Sequence, residues 1–172
     1  MVSLTPRPPE DWPQEIDDLK SGFAGALNVY RAMAHHPALL QSWIDLRAHI
    51  VTENALGPER MEVAILRIAT RLGSRYEWAH HVERASALGF SSERIEGIRG
   101  PLDKMEKADA LIAGAVDSLI DDTRLSSTQV ADLQEAVDLE GILDLMATVG
   151  FYKTLGCIAE TFDVPLTDLK SR

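Results

Sequence analysis

An all-α fold, an orthogonal bundle of helices, is what this sequence predicts, and three observations predict it. Apolar residues recur at three- and four-residue spacing along most of the chain. No stretch alternates apolar and polar residues as a half-buried strand would. Proline, glycine and serine stand where helices begin and end. At 172 residues the chain is long enough for one full core.

Residues 1–12 carry Pro6, Pro8 and Pro9 and read as an extended N-terminal arm, with residues 13–172 forming a single all-α domain. A short helix is expected from about Pro13, and a second over Leu27 to Ala34. Pro37, at a first-turn position, opens a third with Leu39, Leu40, Trp43, Leu46 and Ile50 on one face. Gly57-Pro58 ends that run, and Glu59 to Leu72 forms the next helix. Arg75 to Leu88 follows and closes at Gly89, a C-terminal glycine. Ser91-Ser92-Glu93 caps a short helix that stops near Gly100-Pro101.

Lys104 to Ile120 is amphipathic, and the run Leu125 to Gln129 caps a helix reaching about Val137. The last helix, Leu139 to about Phe162, is apolar almost all round, as befits a core centre or a subunit interface. A homo-oligomer is therefore expected.

Charge and cysteine content remove several functions. A net charge of −10 without a dense basic stretch argues against nucleic acid or an anionic membrane as partner. The single Cys157 excludes an intrachain disulfide or a Cys-x-x-Cys site, and its neighbours suggest a buried small hydrophobe. Prolines stand where a signal peptide would be apolar, and no stretch has eighteen uninterrupted apolar residues. The expected address is cytoplasmic.

The informative feature is a polar pair on two successive helices. At about 100° per residue, Met61, Ile65, Ile68, Ala69 and Leu72 share a face, with Arg60, Arg67 and Arg71 opposite. Glu62 lies at the edge of the apolar stripe. Across the turn at Gly73, Trp78, Val82, Ala85 and Leu88 face inward, flanked by Glu77 and His81, while His80 points away with Tyr76. In an antiparallel hairpin, Glu62 and His81 are offset by about 4.5 Å along the axis, a gap that side chains span. An unpaired buried charge is costly, so the two are expected to meet. Such a pair either performs proton chemistry or fixes helix register.

The segments Glu59–Arg67 and Tyr76-Glu77-Trp78-Ala79-His80-His81, then Ala85 and Gly89, resemble the carboxymuconolactone decarboxylase and alkylhydroperoxidase-D-like family. Asn28–Pro37 and Gly150-Phe151-Tyr152 also resemble branches of it. The resemblance implies a bundle of the alkylhydroperoxidase-D-like type and a homo-oligomer.

In the peroxidase branch, a glutamate is followed twelve residues later by Cys-x-x-Cys-x-x-x-His. Laid on this chain, the glutamate falls on Glu62 and the histidine on His81. The cysteines fall on Ser74 and Glu77, and an auxiliary histidine on Tyr76. Disulfide-based peroxide reduction needs two thiols, so thiol peroxidase chemistry is not expected.

The cysteine-free branch implies a lyase acting on a small lactone or carbonyl acid, with no cofactor. Glu62, His81 and Glu77 are the candidate catalytic residues, with Glu62 as general acid. Tyr76, Trp78 and Arg75 are the candidates for substrate contact. Two other readings stand beside this one. Glu62, Glu77 and His81 could hold a divalent metal, or the pair could be a relic in a non-catalytic oligomeric scaffold.

Overall fold

The computed structural model describes residues 4–168, and every regular element among them is helical. The α-helices are α1 (Phe23–Ala26), α2 (Asn28–Met33), α3 (Pro37–Ala48), α4 (Pro58–Leu72), α5 (Arg75–Ala87), α6 (Ser92–Gly97), α7 (Lys107–Asp121) and α8 (Ser127–Thr161). Short 3₁₀ turns occupy Pro9–Asp11, Gln14–Leu19 and Leu102–Lys104, and a π-helical turn covers His49–Glu53. The segment before α1 lies on α2: Arg7 N–H donates to Arg31 O, and Trp12 is buried with its indole N–H on Arg7 O.

Helix α4 is the centre, packed against α5, α7 and α8. It is buried from Met61 to Ala69, more completely than one amphipathic face requires. Arg67, expected on the outer face, is a correction, because α7 covers that face. Its guanidinium forms two parallel bonds to Asp117 (2.8 and 2.6 Å) and donates to Ile98 O and Gly100 O at 2.9 and 2.8 Å. Burial would raise the Asp117 pKa, but hydrogen bonds from Arg67 and Arg71 outweigh it and hold the carboxyl below its ordinary value.

The α4–α5 hairpin turns at Gly73, whose left-handed backbone (φ 66°) glycine adopts without strain. Ser74 then caps α5, its Oγ accepting from Glu77 N–H. Glu160 of α8 adds a second cap, accepting from Arg75 N–H at 2.8 Å. A carboxylate there also meets the positive end of the α5 dipole.

Helix α8 is broken at Asp138 (φ 54°, ψ −170°), where the sequence divides two helices at Val137 and Leu139. The Asp138 carboxylate accepts from Gly141 N–H at 3.1 Å and so caps the second half. That half is not buried all round. Leu139 (58% exposed), Leu143 (57%) and Met146 (38%) form an outward stripe, while Ile142, Leu145, Val149 and Tyr152 face the core. An 18-residue window of α8 is apolar enough to cross a membrane, and 56% of it is buried, as in a core helix.

Two smaller expectations are also corrected. Leu39 and Leu46 of α3 are exposed, because Leu40 faces the core and Trp43 stacks on Phe151 at 4.8 Å. Cys157 is exposed beside Lys153 and Thr154, since Leu155, Gly156 and Ala159 take the inner face.

Candidate active site

Glu62 and His81 meet between α4 and α5. Glu62 Oε2 lies 2.6 Å from His81 Nδ1, and both side chains are buried. His81 Nε2 faces Glu77 Oε2, one helical turn back, at 3.8 Å. Three side chains thus form one line, Glu62–His81–Glu77, through the interior. Tyr152 of α8 packs edge-on against the imidazole, with ring centroids 5.0 Å apart.

Burial decides the protonation states. It pushes the His81 pKa down, against the pull of Glu62, and favours a neutral imidazole whose Nδ1–H is directed at the Glu62 carboxylate. The Nε2 lone pair then points toward Glu77. Burial pushes the Glu77 carboxyl up to about 8, with Arg84 opposing and Asp168 and Glu160 assisting. Glu77 Oε1 is buried without a hydrogen-bond partner. A protonated carboxyl with a free oxygen, next to a neutral histidine, is a proton donor in waiting. Glu62 has one oxygen, Oε2, on His81, whereas Glu77 keeps Oε1 without a partner.

Two small cavities flank this line. One of about 20 Å³ lies on the Glu77 side, bordered by Tyr30, Arg47, Glu77, His81, Arg84 and Tyr152. The other, about 70 Å³, lies on the Glu62 side, bordered by Met61, Glu62 and Ile65. Val51, Arg84 and Tyr152 border both. Val51 belongs to the π-helical turn, which Asp144 anchors by accepting from Ala55 N–H at 2.6 Å and bonding His49 Nε2 at 2.7 Å. π-Helical turns recur at functional sites, and this one forms a wall of both cavities.

The other sequence-derived candidates separate from this cluster. Tyr76 is buried and its ring borders the Glu77 cavity, but its hydroxyl is engaged by Asp168 and Val29 N–H. It does not point away, and neither does His80, which lies 3.3 Å from Asp168. Both turn inward because the C-terminal segment folds over them: Asp168 also accepts from Asn28 N–H at 2.7 Å. Trp78 sits under Arg99 (3.5 Å from the ring centroid) beside a separate, shallow depression. Arg75 is 78% exposed and lies near Glu160 and Asp163. Neither Trp78 nor Arg75 reaches the cavities.

Arg84, which the sequence offers with Arg60, Arg67, Arg71 and Arg75 as a local cation around the hairpin, lies at the site, and sequence reasoning missed Arg47, Tyr30 and Tyr152 there. Arg84 is placed there by its position on α5, three residues from His81 and seven from Glu77. Arg47 and Tyr152 come from distant helices and gave no such signal.

The hairpin, its buried glutamate and its histidine all lie within one stretch of matching sequence. Residues 37–116 match the carboxymuconolactone decarboxylase family. The family segment runs from the first turn of α3 into α7 and contains Glu62, Glu77 and His81. No curated protein matches the chain. At the two positions that the peroxidase branch fills with cysteine, Ser74 is a helix cap and Glu77 is part of the buried line. For the metal-binding alternative, no group of three or more His, Cys, Asp or Glu side chains converges as ligands among the described residues.

Proposed function

We propose that this decarboxylase-family protein is a cofactor-independent lyase that releases CO₂ from a small lactone or carbonyl acid. The buried line Glu62–His81–Glu77 is the observation that carries the reading. When a carboxylate leaves a carbon conjugated to the lactone carbonyl, the C–C bond breaks and its electron pair moves into the lactone. The resulting enolate must take a proton at carbon. Glu77 supplies that proton and is left as a carboxylate. His81 Nε2 then takes a proton from water, leaving hydroxide to be neutralised by bulk solvent, and passes it to Glu77, which restores both side chains. Glu62 holds the Nδ1–H and stabilises the imidazolium formed in transit.

The test is CO₂ release from a panel of five-membered lactone acids, run beside dithiothreitol-dependent hydroperoxide reduction. Release from at least one lactone acid, with no thiol-dependent peroxide turnover, is expected. Peroxide turnover that persists in Cys157→Ser, where no thiol remains, would sink the reading.

The outward stripe Leu139, Leu143 and Met146 favours a homo-oligomer in which a second copy covers it. Light scattering at micromolar concentration should give an even multiple of 19.0 kDa. A monomer would remove this inference, and a trimer would remove only the even order.

A further inference from the structure

We infer that Arg47 and Arg84 form an anion subsite over Glu77 and His81 that takes one carboxylate of a small planar ligand. The inference rests on the acid–base reading of the same site. Acidic residues outnumber Lys and Arg, 27 to 17. Arg67, Arg71 and Arg94 are each held by aspartates. Arg47 and Arg84 form no ion pair with a carboxylate among the described residues, although both border the same cavity as Glu77.

Two orphan atoms point the same way. Arg47 Nε and Glu77 Oε1 are buried, without hydrogen-bond partners. An unsatisfied buried polar group is costly, so a pair of them on residues lining one cavity marks groups kept for a ligand. Arg47 is held in place already: its Cζ lies 3.4 Å from the Phe23 ring centroid, and its guanidinium approaches the Tyr30 hydroxyl. Stacking of this kind pre-orders a planar donor fork that matches a carboxylate. Arg84 is half-buried and borders the second cavity as well.

The chemistry is self-consistent. A carboxylate accepting from Arg47 and Arg84 also takes a hydrogen bond from the Glu77 O–H, which is present at neutral pH. Held by two guanidiniums, it keeps its charge, so it is a group that stays on the ligand rather than one lost as CO₂. The cavities hold about 20 and 70 Å³ and share Val51, Arg84 and Tyr152 as lining, so a ligand larger than a few waters has to displace some of these shared side chains.

The experiment is isothermal titration of the full chain with furan-2-carboxylate and, separately, its uncharged analogue furan-2-carboxamide. The carboxylate should bind at least about tenfold more tightly, as charge-assisted pairing requires. Arg47→Gln and Arg84→Gln should each bring the two ligands to near-equal affinity, and Arg84→Lys should retain part of the preference. Circular dichroism melts check that the variants fold. Equal binding of the two ligands to the wild-type chain, no binding of the carboxylate, or an intact preference in both Gln variants would overturn the subsite. Should a variant fail to fold, the wild-type ligand pair still decides. A carboxylate preference without CO₂ release would leave the subsite standing and defeat the lyase reading. CO₂ release without a preference would do the reverse.

Discussion

Glu77→Gln is expected to slow CO₂ release from a cognate lactone acid by about 10²–10⁴-fold, the range typical of a lost general acid. Gln keeps the shape of the side chain but has no proton to give. The same substitution has a thermodynamic signature. The ordinary carboxyl ionises at 4.5, and the folded one at about 8, so between these values the folded chain binds more protons than the unfolded chain. Stability from Glu77 is therefore full below pH 4.5 and is lost as pH rises toward 8.

His81 acts in the opposite sense, because its pKa is pushed down by burial and the unfolded chain gains protons first as pH falls through 6.5. That contribution is common to both proteins. The difference between wild-type and Glu77→Gln melting temperatures should thus narrow in favour of the variant as pH rises from 5 to 8.5. Melting curves at four pH values, read beside the rate, check both halves. Parallel curves with a rate within tenfold of wild type would show that Glu77 is neither buried acid nor proton donor.

The largest loss of stability is expected from Arg67→Met. Methionine fills the space of the stem, but it leaves Ile98 O and Gly100 O without their donor and Asp117 with Arg71 alone. Removing one partner of a buried ion pair typically costs about 3–5 kcal/mol. For a chain of this size that is a fall of about 6–20 °C in melting temperature. A denaturant titration that gives a change below about 1 kcal/mol would mean the pair is solvated and does not join α4 to α7.

The helices, the hairpin turn and the Glu62–His81 meeting were legible because they are local. Periodicity, Gly73 and the small axial offset between the two arms of the hairpin determine them within a stretch of about thirty residues. What escaped was set by distant chain. Arg67 reads as an outer-face residue until α7 brings Asp117 to it. Tyr76 and His80 read as outward until Asp168 folds over them. The unpartnered oxygen of Glu77 was not legible for the same reason, since it owes its burial partly to α3 and α8. Arg75 and Trp78, adjacent to the site in sequence, lie on the far side of α5. Neighbourhood along a helix is a poor guide once the side chain's face is fixed.

The central claim is that the buried line moves protons rather than holding two helices in register. Glu62→Gln tests it most directly, because the amide oxygen can still accept the His81 Nδ1–H but cannot stabilise an imidazolium as a carboxylate does. The measurement is the rate of CO₂ release by this variant on the wild type's best lactone acid, with the melting temperature taken on the same sample. The account predicts a loss of about a hundredfold or more in rate with melting within a few degrees of wild type. A rate equal to wild type, or a collapse in melting temperature in a protein that releases no CO₂ even as wild type, would make the line a structural brace.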